Sequence, residues 1–490
     1  MRPLEFLSRL LDYDYDQGNN LFIAGGPVRD WLLERPVKDI DIVMANKALS
    51  VSKDMATASS GAFVMLDESF QVARVVAEGF SFDFSSYRGH AKTVEEDLAH
   101  RDFTINAMAV SLKKIMPHLR QTSQGLICPK KELLSMLIDP FGGVKDLEKR
   151  LIKALARDNL ENDPLRLLRA FRFKAVLGFE IERSTLVWIK ELAHELTRCA
   201  PERIGSELDK IMASCRAGQT LSHLYDSGLL SSIIPETKVM EGVEQPGFHH
   251  LDVLGHLFEA VSSMDKLVED PCIKFDHCSL LKDWLKSNQE KISWLKWAAF
   301  MHDFGKPAQK AQREDGRVTF YEHDKAGAQM VKDVARRLRW SRAKQKFVST
   351  LVRLHMRPFH LLNDLRRSGP SKRAMRRLLD ETGPDYPALF LLAMADSMAG
   401  CGPMKPQGLD GEIALLFDKI HSFYLKSLKP VENNPPLLRG HDVMKALDIG
   451  PGPLVGEALQ AIREAQIEGK VLTREDALDL LKRLFEKQGR

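Results

Sequence analysis

The sequence predicts a small α/β head with a mixed sheet, followed by domains that are all helical. Three observations carry this. Strand-like apolar runs are confined to about the first 115 residues. From about residue 130 onward, leucine and phenylalanine recur at three- and four-residue spacing, the period of an amphipathic helix. At 490 residues the chain exceeds what one core can organise, so three or four units are expected.

Taken in order, Leu21 to Ala24 is a short apolar run that enters a Gly25-Gly26 turn. A helix-like segment with Arg29 and Asp30 follows, and then a second apolar run, KDIDIV. Residues i and i+2 of a strand face the same way, so Asp39 and Asp41 should point together. VSKDMATASSGA reads as a helix, and AFVML, QVARVVA and FSFDFSSY as further strands. LRLLRAFRFKAVLGF is a helix by period, and Asp163-Pro164 just before it is an N-cap and first-turn pair. EQPGFHH (244–250) is a turn-rich break, PVENNPP (430–436) a stiff linker, and GPGP (450–453) a break between terminal helices. The expected domains are 1–145, 146–243, 244–428 and 429–490.

The formal net charge of +4 is small for this length, so local patches must decide whether nucleic acid is a partner. The cysteines at 128, 199, 215, 272, 278 and 401 lack C-x-x-C spacing. This argues for reduced thiols in a cytoplasmic protein and against a zinc ribbon or disulfide scaffold. No run of eighteen apolar residues occurs, and the first residues are acidic rather than signal-like. A soluble, cytoplasmic protein with no membrane partner is expected. Oligomeric state is not specified.

Paired carboxylates beside a glycine turn suit metal-assisted phosphoryl or nucleotidyl transfer, the turn's N–H groups holding phosphate. A glycine pair alone is usually just a turn, and D-x-D is often a solvated edge. Their combination with a fixed cation, Arg29, is what carries weight, although Arg29 also suits a simple ion pair with Asp30 or Glu34. Asp83 lies on a further strand with Arg88 at its end, and RDFTINAMA offers Arg101 and Asp102 at the mouth of another element. Arg166, Arg169 and Arg172 recur every three residues on one side of the helix after Asp163. That is either a solvated basic face or, with Asp163 as acceptor and Arg166 as donor, a surface that pairs with a base edge.

GGPVRD, KDIDIV, RDFTINAMA, DPFGGVKDL and DPLRLLRAFRF, in this order, resemble the class II tRNA nucleotidyltransferases and their bacterial poly(A) polymerase relatives. PERIGSELDKIM and the terminal LLRGHDVMKALDIGPGPLVGEALQAIREAQIEGKVLTREDAL extend the resemblance. It implies an α/β nucleotidyltransferase head followed by all-α neck, body and tail. Asp39 and Asp41 would be magnesium carboxylates. Gly25, Gly26 and Arg29 would bind triphosphate, and Arg101 the nucleotide. Asp163 and Arg166, with Arg169 beside them, would be a protein template for the incoming base. Asp83, Arg88 and Asp102 would be supporting residues. The implied reaction is attack of a tRNA 3′-hydroxyl on the α-phosphate of CTP or ATP. The chain departs from the family pattern at Asn162, where Glu is usual, and at His100, where Arg is usual. Only GHAKTV separates Arg88 from Glu95, which resembles members that add CC rather than CCA. The alternatives are a poly(A) polymerase, which would share every carboxylate named, and a phosphohydrolase whose head only binds RNA.

A second set comprises His256, His302-Asp303, His323, His355 and Asp396, carried on different expected helices. A lone histidine is usually a core or surface residue, but imidazoles and carboxylates converging from several helices make a metal site. The order resembles the HD phosphohydrolase superfamily. By that resemblance, His256, His302, Asp303 and Asp396 would hold a divalent transition metal or Mg²⁺, with His323 and His355 for a second ion or phosphate. Phosphomonoesters or 2′,3′-cyclic phosphates would be substrates. Two basic runs, 336–346 and 365–379, are expected to contact an RNA backbone or else to be solvated faces.

Overall fold

The structure is a computed structural model that describes residues 1–17, 21–67, 71–245, 247–433 and 435–486. Pro246 of the expected break and Asn434 of the expected linker lie outside the described residues. The chain divides into two compact units, 1–211 with 223–233, and 212–222 with 234–490.

The first unit holds seven strands in one sheet: β1 (Phe22–Ala24), β2 (Asp39–Met44), β3 (Ala62–Asp67), β4 (Val72–Ala77), β5 (Phe80–Ser86), β6 (Ala109–Ser111) and β7 (Leu137–Ile138). Their order is β3-β4-β5-β2-β1-β6-β7. The β2–β5 pair is parallel, with Asp41 opposite Asp83, and its neighbours are antiparallel, so the sheet is mixed. Alternation does the sorting. Ile40 and Ile42 of β2 are fully buried, as are Phe82 and Phe84 of β5. Phe6, from the helix Pro3–Gln17, stacks on Phe82 with ring centroids 3.9 Å apart. The opposite face of β2 and β5 is left to Asp39, Asp41 and Asp83.

The helix Leu165–Leu177 forms as its period requires, burying Leu167, Leu168, Phe171 and Phe173, and ends at Gly178, whose φ of 71° suits a left-handed cap. Its start differs from expectation. Pro164 occupies the N-cap and no side chain caps the helix. Asp163 contributes only its carbonyl, to Arg166 N, because its carboxylate is drawn to two arginines.

In the second unit, Val253–Glu269, Gln289–Met301, His323–Arg337, Arg342–Leu354 and Tyr386–Ala399 are the helices that matter for chemistry. Tyr386–Ala399 is apolar on nearly every side and nearly all of it is buried, as a central helix should be. The terminal helices enclose a small core of their own around Leu438, Val443, Ile462, Ala477 and Leu481.

One expectation is corrected here. Cys272 and Cys278 are joined by a disulfide, their Cα atoms 5.2 Å apart across a turn, so the cysteines do not argue for a reducing compartment. The basic runs remain largely exposed, but part of each is paired with acids. Arg366 pairs with Glu412, Arg376 with Glu464, Arg377 with Glu381, Arg336 with Asp333 and Arg337 with Glu236. Lys344 is buried over Trp340. Acids on the same helix or on other helices thus meet some of the cations in each run. Among the described residues, no helix is long and apolar enough to cross a membrane.

Candidate active site and candidate metal centre

In the first unit, one cavity of about 990 Å³ is lined by Gly26, Arg29, Asp39, Asp41, Asp83, Arg88, Arg101, Asp102, Asp163, Arg166 and Arg169. The sheet supplies the carboxylates and the helix Leu165–Leu177 the basic wall. Asp39 and Asp41 share a face, as period two demands. Burial pushes the Asp41 carboxyl up to about 6, with Arg101 opposing the shift and Asp83 adding to it. Asp39, Asp41 and Asp83 gathered on one face make an oxygen donor set that fits a hard divalent ion.

Gly25 has φ 80°, and a Cβ there would stand 2.3 Å from Arg101 Nη1 and 3.2 Å from Asp41 Oδ2. What Gly25 supplies is space for a guanidinium against the strand. Its N–H donates to the Met108 carbonyl at 3.0 Å and does not face the cavity, which corrects the expected phosphate role of that amide.

Arg29 is buried, and each of its guanidinium nitrogens makes one hydrogen bond. It donates to both oxygens of Asp30 at 2.9 Å and to Asn106 Oδ1 at 2.8 Å, and its guanidinium lies 5.0 Å from the Phe173 ring centroid. The ion pair that competes with a phosphate role is therefore real, but it points Arg29 into the site. Asp102 is not a free acid at the mouth. Its Oδ2 accepts from Arg169 Nη2 at 2.6 Å and Nε at 2.8 Å. Its Oδ1 accepts from Phe103 N at 2.8 Å and Asn106 Nδ2 at 2.9 Å. Asp83 is likewise clasped by Arg74 at 2.7 and 2.8 Å.

Several functional residues are not visible in the sequence. Asp97, wholly buried, accepts from Arg88 N at 2.9 Å and Arg88 Nη1 at 3.1 Å, and lies 3.8 Å from Arg101 Nε. Asn159 donates to the carbonyls of Ala99 and Arg101, both at 2.8 Å, fixing the backbone under Arg101. Burial and the charge of Arg88 push the Arg101 pKa down to about 10, so it is still charged at neutral pH. Asp163 lies 3.8 Å from Arg166 Nε and 3.2 Å from Arg203 Nη2. Arg203, on the helix Pro201–Met212, also lines the cavity.

In the second unit, every residue of the expected set converges. His256 Nε2 lies 3.2 Å from His302 Nε2 and 3.1 Å from Asp396 Oδ1. His323 Nε2 lies 3.1 Å from His355 Nε2 and 3.3 Å from Asp303 Oδ1. Asp303 Oδ2 faces His302 Nε2 at 3.2 Å, so this carboxylate stands between two triads, His256/His302/Asp396 and Asp303/His323/His355.

The ring nitrogens are oriented for ligation. Nδ1 of His302, His323 and His355 faces the carbonyl of Ala299, Phe320 and Val352 at 2.8, 2.8 and 2.6 Å. A carbonyl only accepts, so each Nδ1 carries a proton, and Nε2 is the nitrogen that faces inward and could ligate. His256 Nδ1 is met by His249 Nδ1 at 3.3 Å, a partner that sequence reasoning missed. Burial opposes a proton on His302, but Asp303 and Asp396 outweigh it and raise its pKa to about 10. Burial lowers the pKa of His249, His256 and His355, and the imidazoles and carboxylates together make donors that fit divalent ions. Gly305 permits the close packing: a Cβ there would stand 2.1 Å from the His323 carbonyl oxygen. A cavity of about 620 Å³ opens beside the cluster, lined also by Lys306, Phe320, Tyr321 and Phe359.

Four family descriptions match the chain in succession: Poly A polymerase head domain over 21–153, Probable RNA and SrmB-binding site of polymerase A over 178–240, HD domain over 269–391, and tRNA nucleotidyltransferase domain 2 over 416–481. The chain is 32% identical over 471 residues to an A-adding tRNA nucleotidyltransferase of Deinococcus radiodurans, covering 95% of each chain. It is 29% identical to a CC-adding tRNA nucleotidyltransferase of Thermus thermophilus, covering 95% of this chain and 94% of that one. A solved CCA-adding enzyme in complex with ATP has the same fold, with a TM-score of 0.62 and 21% identity over 100% of this chain and 96% of that one. A nucleotidyltransferase head with paired strand carboxylates, a helical RNA-binding region, an HD cluster and a 32% identical full-length relative make this protein a member of the class II tRNA nucleotidyltransferase family, in the form that carries an HD domain.

Proposed function

We propose that the protein adds nucleotides from CTP or ATP to the 3′ end of tRNA in the cytoplasm, using the cavity of the first unit. One observation carries this reading: Asp39 and Asp41 on the sheet and Asp163 and Arg166 at the helix start line the same cavity. The reaction is in-line attack of the tRNA 3′-hydroxyl on the α-phosphate, with pyrophosphate leaving. Asp39 and Asp41, supported by Asp83, would hold Mg²⁺, which when bound lowers the pKa of the hydroxyl and neutralises charge on the phosphates. Arg29, Arg88 and Arg101 present fixed positive charge to the triphosphate. Asp163 and Arg166 read the base edge, and Arg169 anchors their helix to Asp102. Catalysis of this kind is largely positioning and charge neutralisation.

Two readings of the product have specific support. The connection from β5 to the next helix is short, with α-helix resuming at Val94, which favours CC addition over the full CCA. The similarity to an A-adding enzyme over 95% of both chains favours addition of the terminal A. Incubation with tRNA ending before CCA and with tRNA ending in CC, each with CTP and ATP, separates them. CC addition alone supports the first reading, and A addition only to the CC-ended tRNA supports the second. Full CCA on the shortest tRNA rejects both restrictions, and no incorporation rejects the function.

For the second unit we propose a two-metal phosphohydrolase acting on phosphomonoesters or 2′,3′-cyclic phosphates. The support is the pair of adjacent triads, with Asp303 of one facing His302 of the other. A metal-loaded protein that hydrolyses neither class of substrate would reject this activity.

A further inference from the structure

The carboxylate of Asp163 has no fixed place of its own. It does not cap the helix, which begins at Pro164 and Leu165 without a side-chain cap. Arg166 holds it poorly: its Nε is 3.8 Å away, and its Nη1 is engaged by the Arg101 carbonyl at 3.2 Å. Arg203 does hold it. Nη2 of Arg203 reaches both oxygens of Asp163, at 3.3 and 3.2 Å, from a side chain that is 54% exposed at the cavity wall. The neighbouring Arg172 is committed to Glu207, so Arg203 is the arginine of that wall that steers Asp163.

The direction of that carboxylate matters because of what the bases present. Cytosine and adenine each offer an amino donor beside a ring-nitrogen acceptor; uracil and guanine offer a carbonyl acceptor beside an N–H donor. An ionised carboxylate only accepts and a guanidinium only donates. An aligned Asp163–Arg166 pair therefore matches cytosine and adenine, and sets acceptor against acceptor for uracil and guanine. A carboxylate that swings aside loses that repulsion. One held by Arg203 keeps it, and still has lone pairs for the amino group, since two oxygens provide about four acceptor sites.

We propose that Arg203 is a positioning residue for base selection: it fixes the direction of the Asp163 carboxylate, so that the site takes amino-bearing bases and refuses uracil and guanine. This rests on the reading of Asp163 and Arg166 as the protein template. The test compares the wild type with Arg203→Ala, Arg203→Lys and Asp163→Ala. It measures kcat and KM for CTP against UTP on tRNA ending before CCA, and for ATP against GTP on tRNA ending in CC.

Arg203→Ala should lower the CTP-to-UTP or ATP-to-GTP ratio of kcat/KM by about tenfold, chiefly through a higher KM for the correct nucleotide, the scale of a misplaced hydrogen-bonding group. Arg203→Lys should recover part of the ratio, since charge is restored without the fork. If Arg203→Ala slows correct and incorrect nucleotides equally while Asp163→Ala collapses the ratio, Arg203 is merely structural and the proposal is overturned while the template reading stands. If Asp163→Ala leaves the ratio intact, both are overturned. Arg203 is largely exposed, so the variants should fold, and circular dichroism checks this.

Discussion

Replacing Asp102 by Asn keeps the side chain's shape and removes its charge. The site cannot accommodate the change. Both Asp102 oxygens face donors only: Arg169 on one side, Phe103 N and Asn106 Nδ2 on the other. Either orientation of an Asn amide therefore sets its NH₂ against a donor, and leaves Arg169 without its counter-charge. Breaking a buried pair in this way costs about 3–5 kcal/mol. Asp102 is 5% exposed, but the Arg169 side chain is 34% exposed and partly screened, so about 2–3 kcal/mol is the fitting figure. For a unit of this size that corresponds to about 4–12 °C in the thermal transition of the first unit.

The pH dependence has a definite sign. Burial opposes the Asp102 charge, but Arg169 and the Asn106 hydrogen bond outweigh it and hold the carboxyl well below its ordinary range. A folded pKa below the unfolded value, about 3.9, gives stability that is present above that value and fades as pH falls toward the folded pKa. The gap between wild type and Asp102→Asn should be equal at pH 7 and pH 5 and narrow near pH 3. Thermal unfolding followed by circular dichroism measures it. A variant within about 1 °C of wild type at pH 7 would refute the view that this pair fastens the helix Leu165–Leu177 to the sheet.

Gly25→Ala should cost both stability and activity. At φ 80° and ψ −126° the backbone lies in a region open essentially to glycine, a strain of about 1–3 kcal/mol, and the added Cβ must also displace Arg101 from beside Asp41, so kcat/KM for nucleotide should fall at least about tenfold. Metal analysis should find two ions per chain in the second unit, and Asp303→Asn should release metal from both triads because it faces each; loss from one triad alone would contradict a shared ligand. Arg376→Ala should destabilise the protein, since its side chain is 13% exposed and paired with Glu464, whereas an RNA-contact role would instead lower tRNA affinity and its salt slope at unchanged stability.

Much of the chemistry was legible because it is local. Period two placed Asp39 and Asp41 on one face, and a three-residue offset placed Asp163 near Arg166. The histidine set was legible too, since His256, His302, His323 and His355 lie on, or at the end of, four separate periodic helix segments. What sequence hid is pairing at a distance. Arg203 meets Asp163 from 40 positions away, Asn159 holds the Arg101 carbonyl from 58, and Glu412 neutralises Arg366 from 46. No local pattern reports such partners, which is why Arg366 reads as an unpaired cation and Asp163 as a cap. The disulfide was hidden for a similar reason: a turn, not a motif, brings Cys272 to Cys278.

The central claim is that nucleotides are transferred at Asp39 and Asp41. Its most direct test is incorporation of labelled CTP or ATP into tRNA lacking its 3′ terminal nucleotides, by wild type and by the Asp39→Ala/Asp41→Ala double variant, with Mg²⁺ present. Losing the residues that would hold the ion should cost several kcal/mol of transition-state stabilisation, a fall of at least about 10³-fold, in a variant that still folds. Incorporation by the double variant at close to the wild-type rate would contradict the account.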